Sequence, residues 1–354
     1  MLRGVPTLSE TLGFAILGTG SIANVHRQAI AANAALGARL VAVGHHDPAR
    51  FGDIGAAFGV PCLGQEALLA RADVDVVCLA TPSGQHAAQA IAAARAGKHV
   101  LTEKPMALSL ADADAMIEAC EQAGVQLGVL LQRRAEPVFR RTYDAIRAGD
   151  LGQLTLVVIT MPYFRPQAYY DQAAWRGTWE LDGGGALMNQ GIHILDLLLW
   201  FVGADPSRIQ ARAATLQRDI AVEDTVVASL EFPGGALGTL AATTTAAPGF
   251  RHRIELYGTG GAIQLEGESV VRWDLVEPSK ASVEPPSGGS GSDRSGSDPR
   301  GISPEAHTAL VRDFVEALRS GRPPFVDGRE ARRSLATVLG VYAAAGLPSA
   351  PSRS

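Results

Sequence analysis

Lys104 and His193 are the two side chains best suited to move a proton in this chain. Lys104 closes the run Gly97-Lys98-His99-Val100-Leu101-Thr102-Glu103-Lys104-Pro105, an apolar strand pattern that ends in Glu-Lys-Pro. Lysine is rare at a buried strand end. Desolvation there disfavours the ammonium and makes the group a usable proton donor or acceptor; a solvated surface lysine is the plainer reading. Gly183-Gly184-Gly185 leads into a second group, in which Asn189, His193 and Asp196 are spaced i, i+4, i+7 and share one face of a helix. That helix is otherwise apolar, so a polar stripe on it is costly to bury unless partnered. A hydrogen-bonded core histidine is the plainer reading of His193. Asn189 cannot exchange a proton but can bind a hydroxyl. Asp196 either orients the imidazole or anchors the helix.

The chain also carries a cofactor signal. Gly18-Thr19-Gly20-Ser21-Ile22-Ala23 follows an apolar strand and opens a helix, fitting G-x-G-x-x-G/A. The first Gly permits the tight turn, the second lets a pyrophosphate approach the backbone, and small Ala23 allows close helix–strand packing. By contrast, Gly258-Thr259-Gly260-Gly261 lies between two strands with no helix after it and reads as a hairpin. The next strand ends in Val43-Gly44-His45-His46-Asp47-Pro48. His45 stands where an acid is usual. Asp47 either reaches the adenosine ribose or caps the helix that follows. The expected cofactor is NAD, with NADP possible.

The elements around these residues change character once. Strands at 14–17, 39–43, 74–79, 100–101 and 126–131 alternate with helical stretches, among them 84–96 and 109–123, which implies βαβ units and a parallel sheet. From about residue 150, strands at 154–160, 209–216, 225–232, 236–245, 253–257, 262–266 and 270–275 follow one another through short turns, which implies a largely antiparallel sheet. A helix from 186 to 201 interrupts them. Residues 279–301, rich in Ser, Gly and Pro, read as a flexible loop, and helices resume at 304–320 and 328–345. The expected fold is an α/β Rossmann domain over 1–135, a doubly wound parallel sheet. An α+β domain over 136–354 follows it.

Composition narrows the function further. The chain has 354 residues, 47% hydrophobic and 19% charged, with a net charge of −5, which argues against a nucleic-acid partner. Its three cysteines, Cys62, Cys78 and Cys120, lack metal-ligand or paired spacing and read as buried small hydrophobes. There is no zinc-type pattern and no G-x-S-x-G elbow. No apolar run reaches the ~20 residues of a membrane span, and the expected location is the cytoplasm.

Taken in order, several motifs resemble the glucose–fructose oxidoreductase, inositol dehydrogenase and MocA (Gfo/Idh/MocA) family. They are the Gly18–Ala23 turn with His26, Ala80-Thr81-Pro82 with His86, Gly97 to Pro105, and Gly183-Gly184-Gly185 with His193 and Asp196. Asp313-Phe314 and Gly321-Arg322-Pro323 also fit, so the match runs from Phe14 to about Tyr342. The resemblance implies an open-faced sheet in the second domain that builds a homodimer or homotetramer, and a carbohydrate-like alcohol or ketone substrate. It implies that Ala80, Thr81, Pro82, His86, Glu103 and Lys104 border the nicotinamide half of the cofactor, with Lys104 also touching substrate. Gln132 and Arg134 match a segment near cofactor or substrate. The aromatic and basic stretch 161–180 holds Tyr163, Trp175 and Arg176. Tyr163 is expected at the substrate, and Trp175 and Arg176 at cofactor or substrate. Many relatives carry Asp where this chain has Asn189, which puts more weight on Lys104 and His193. The function implied is hydride transfer between nicotinamide and a sugar, polyol or sugar-nucleotide carbinol. An NAD-dependent glycosidase and a non-catalytic dinucleotide-binding regulator remain as alternatives.

Overall fold

The computed structural model describes residues 11–277 and 304–348; the loop expected at 279–301 lies outside the described residues. The described chain divides into two compact units. One takes residues 11–132 and 304–332, the other 133–277 and 333–348.

In the first unit, strands β1 (Leu12–Leu17), β2 (Ala38–Gly44), β3 (Cys62–Leu63), β4 (Val76–Leu79), β5 (His99–Thr102) and β6 (Leu127–Val129) form one sheet, ordered β3-β2-β1-β4-β5-β6. All five pairings are parallel. Helices α1 (Ser21–Ala32), α2 (Phe51–Phe58), α3 (Gln65–Leu69), α4 (His86–Arg95) and α5 (Leu110–Ala123) connect them. Every residue of β1 and β4 is buried, as expected for central strands of a parallel sheet covered on both faces. The order reverses between β1 and β4, and ligands of such sheets bind beyond the strand ends at that switch point.

The second unit begins with α6 (Pro137–Arg147), a helix the sequence pattern did not single out. Strands β7 (Leu154–Pro162), β8 (Arg208–Ala214), β9 (Thr225–Glu231), β10 (Leu237–Thr243), β11 (Arg253–Gly258), β12 (Gly261–Glu266) and β13 (Ser269–Leu275) form a sheet ordered β13-β12-β11-β7-β10-β9-β8. It is antiparallel except between β7 and β10. After β7 come α7 (Gln167–Asp171) and α8 (Ile192–Val202). The apolar helix α8 is buried at nine of its eleven positions and packs against β7. One sheet face is therefore covered. The other leaves Leu156, Val227 and Leu237 exposed.

The helix α9 (Pro304–Ser320) belongs to the first unit, not to the C-terminal domain where the sequence pattern put it. Asn33 at the end of α1 donates its amide to the Thr308 carbonyl at 3.0 Å, and the Val129 amide donates to the Val326 carbonyl at 3.0 Å. Gly128 on β6 has no room for a side chain because the Phe314 ring lies over it. The expected boundary after 135 thus falls after 132, and the chain returns to the second unit within α10 (Gly328–Ala344). Among the described residues no helix is long and apolar enough to cross a membrane.

Candidate active site

The turn Gly18–Ala23 has the form its sequence requires. Gly18 takes φ +94, and a Cβ there would overlap the Ala80 carbonyl oxygen. A Cβ on Gly20 would meet nothing, so the space above it is open to a ligand. Gly20 begins α1 with no side-chain cap and no acid in the first turn, so Ser21 and Ile22 open a helix N-terminus suited to a pyrophosphate. Thr19 lies between the two glycines on the same turn. Ala23 is fully buried against the sheet. Asp47 is a helix cap, its Oδ1 accepting the Ala49 amide at 3.0 Å, and its own amide donates to His45 Nδ1 at 3.0 Å.

At the ends of β4 and β5 the expected contacts divide. Thr81, Pro82 and Lys104 are partly exposed, while Ala80, His86 and Glu103 are buried. His86 is 1% exposed, with Nδ1 at 2.9 Å from the Pro105 carbonyl and Nε2 at 2.9 Å from the Thr81 carbonyl. Burial lowers its pKa against these two contacts. His86 therefore lies between the two strand-end loops. Glu103 is held in a similar way. Its carboxylate faces His26 Nε2 at 2.9 Å and His307 Nε2 at 3.3 Å. Burial alone would raise its pKa, but hydrogen bonds from these imidazoles outweigh it and hold the carboxyl well below the usual range. No local pattern pointed to His307, because it arrives from α9. Gln132 is buried, and its side-chain oxygen has no partner among the described residues, a vacancy that a ligand donor would fill.

In the second unit, Ala186–Gly191 winds as a π-helix before α8 begins. Such wide turns recur at functional sites. Asn189 and His193 are half-buried, whereas Asp196 is 1% exposed. Asp196 is turned to buried partners. Arg134 donates Nε to Asp196 Oδ2 and Nη2 to Oδ1, both at 2.7 Å, and Ser334 donates to Oδ1 at 2.6 Å. Arg134 is itself only 2% exposed. Its fork holds the helix. Asn189 donates its amide to Asp182, a buried acid the sequence pattern missed, and accepts from Gln190, which also donates to the Tyr169 hydroxyl. The Arg176 guanidinium lies 4.2 Å from the centre of the Tyr169 ring and 4.9 Å from that of Trp175, stacked by both. Tyr163 is almost buried beneath Arg165, and burial raises its phenol pKa.

A Rossmann unit with an open phosphate turn, joined to an antiparallel-sheet unit bearing polar residues on a π-helix, defines an NAD-binding oxidoreductase. The oxidoreductase family with the NAD-binding Rossmann fold matches residues 12–131, and the GFO/IDH/MocA C-terminal domain matches residues 139–264. The chain is 31% identical over 272 residues to inositol 2-dehydrogenase of Rhizobium meliloti, covering 75% of this chain and 79% of that one. It resembles the WlbA dehydrogenase of Bordetella pertussis in complex with NADH and UDP-GlcNAcA at 35% identity and TM-score 0.84, covering 95% and 97% of the two chains. The aldose-aldose oxidoreductase of Caulobacter crescentus is similar at 28% identity and TM-score 0.77, over 95% and 98%. The chain belongs to the Gfo/Idh/MocA family, and it is a dehydrogenase that binds NAD.

Proposed function

We propose that this enzyme transfers a hydride between NAD and a carbinol carbon of a sugar, polyol or sugar nucleotide, with sugar nucleotides the first class to test. The observation that carries this reading is the pairing of chemistries. A partly exposed lysine follows a strand of the NAD-binding unit, and in the other an asparagine on a π-helix and a histidine at the start of α8 are partly exposed. The similarity to a WlbA dehydrogenase in complex with NADH and UDP-GlcNAcA supports sugar nucleotides. Gly18, Thr19, Gly20, Ser21 and Ile22 would hold the pyrophosphate, Asp47 would reach the ribose while its Oδ1 keeps the helix cap, and Thr81, Pro82 and Gln132 would take the nicotinamide side. NAD supplies the two-electron acceptor when bound. Lys104 takes the hydroxyl proton on oxidation and returns it on reduction, with His193 assisting. Asn189 binds a substrate hydroxyl, its amide oriented by Asp182. Trp175 and Arg176 offer a stacked cation to cofactor or substrate. The test is a screen of sugar nucleotides, sugars and inositols, followed at the absorbance of reduced nicotinamide. Intact NADH binding without turnover on any of them would favour a non-catalytic regulator.

NAD is expected to bind more tightly than NADP. A 2′-phosphate would meet the Asp47 carboxylate, and no Arg or Lys lies from Val43 to Pro48 to receive it. Fluorescence titration with NADH and NADPH checks this, and a clearly tighter NADPH constant overturns it.

The open sheet face supports a homo-oligomer. Register places Leu156 beside Leu237, and Val227 beside Ala241 and then Thr160, all on the outer face. Charged Arg208, Arg212, Glu231, Arg253 and Glu255 rim this uncharged centre. A second copy of the same face would cover the apolar centre. Light scattering should give a multiple of the chain mass, and Val227→Glu should lower it to the monomer. A monomeric parent protein would refute the assignment.

A further inference from the structure

We propose that Glu223 and Tyr342 are positioning residues that hold the π-helix carrying Asn189 and leading to His193. The inference rests on the proposed role of those two side chains.

A helix begins with amide N–H groups that have no partner within it, and a local cap residue is the usual remedy. Here Gly185 precedes the turn and caps nothing with a side chain. Four successive amides are instead satisfied from outside. Gly185 donates to Glu223 Oε2 at 2.9 Å and Leu187 to Glu223 Oε1 at 2.9 Å. Ala186 donates to the Glu223 main-chain carbonyl at 3.0 Å, and Met188 to the Tyr342 hydroxyl at 3.1 Å. That hydroxyl in turn donates to Glu223 Oε1 at 2.7 Å. The next amide, Asn189, returns to the Gly185 carbonyl, so the helix's own bonding starts where the clamp stops.

The glycine run fits this device. Gly183 takes φ +78, and a Cβ on Gly185 would overlap the Glu223 carbonyl oxygen. These glycines serve close approach of backbone to a buried acid. Both clamp side chains are 1% exposed, so water cannot replace a lost bond cheaply. Burial pushes the Glu223 carboxyl up to about 7, although two amides and the phenol pull the other way. Glu223 touches no residue of the proposed chemistry directly. It acts through the three amides it fixes and through the Tyr342 hydroxyl that holds the fourth.

The test uses the full-length enzyme and the variants Tyr342→Phe and Glu223→Gln. Tyr342→Phe removes one hydroxyl and leaves the carboxylate. Glu223→Gln replaces one acceptor oxygen by an amino group that faces a backbone donor. In both, the amides of residues 185–188 should exchange with deuterium faster than in the parent. The kcat for the substrate should fall by up to about 10²-fold, the scale of an ångström's misplacement of a reacting group, while NADH affinity holds. Should Glu223→Gln fail to fold, Tyr342→Phe carries the test alone. A folded variant with faster exchange and parental kcat would overturn the proposal, as would a loss of kcat without faster exchange. A parent enzyme that binds NADH but turns over no sugar would sink the proposed function alone; parental kcat in the variants of an active enzyme would sink the clamp alone.

Discussion

Replacing Lys104 by methionine is expected to lower turnover by about 10²–10⁴-fold, the usual contribution of a general acid–base group, and to leave NADH binding nearly unchanged. Methionine roughly keeps the length of the side chain and removes the group that titrates. The grip on the dinucleotide is assigned elsewhere, to the open backbone at Gly20 and the uncapped start of α1. Lys104 instead follows β5 and precedes Pro105, whose carbonyl is tied through His86 to the Thr81 loop. The lysine backbone is thus held from both neighbouring strand ends, a fixed base for a flexible side chain. His193→Ala should act in the same direction but less strongly, because Lys104 remains. The two measurements are steady-state turnover at the reduced-nicotinamide absorbance and NADH titration by fluorescence. Near-parental turnover in Lys104→Met would remove the lysine from the mechanism and move a histidine-only or non-catalytic reading ahead.

What the sequence made legible follows from how local each signal is. The parallel strands announce themselves as apolar runs before turns, and Gly18, Gly20 and Ala23 need only their immediate neighbours to be understood. The second sheet was readable from consecutive strands joined by short turns, among them 258–261. Long-range chemistry was not readable. The two-residue strand β3 is too short to have a period. An amphipathic helix such as α9 shows that it has a buried face but not which domain buries it. Only the resemblance spoke for Arg134, and nothing local showed its acid, which lies 62 residues away. The π-helix was invisible for the same reason: its start is satisfied by an acid 38 residues downstream of Gly185. Spacing of i, i+4, i+7 assumes an uninterrupted α-helix, and the wide turn changes the geometry within it.

That same error leads to the last expectation, that Asp196→Ala destabilises the second unit by about 3–5 kcal/mol, the cost of breaking a buried pair by removing one partner. The reason is the guanidinium left behind. Arg134 is 2% exposed, its fork lies flat on both oxygens of Asp196, and its carbon centre sits 5.4 Å from the centre of the Trp200 ring. Without the carboxylate the charge stays buried and loses both of these hydrogen bonds, and Ser334 also loses its acceptor. Arg134→Met should be costly for the mirror reason, since the carboxylate would keep only the serine. The double variant Arg134→Met with Asp196→Leu should recover much of the loss, because apolar groups of similar volume replace a buried pair at little or no net cost. Denaturant unfolding of Arg134→Met, Asp196→Leu and the double measures the coupling. NADH binding should persist in Asp196→Ala below its unfolding transition, since the dinucleotide turn belongs to the other unit. Single variants within about 1 kcal/mol of the parent would show that the pair anchors nothing. Asp196 would then be free again for the alternative role of orienting His193.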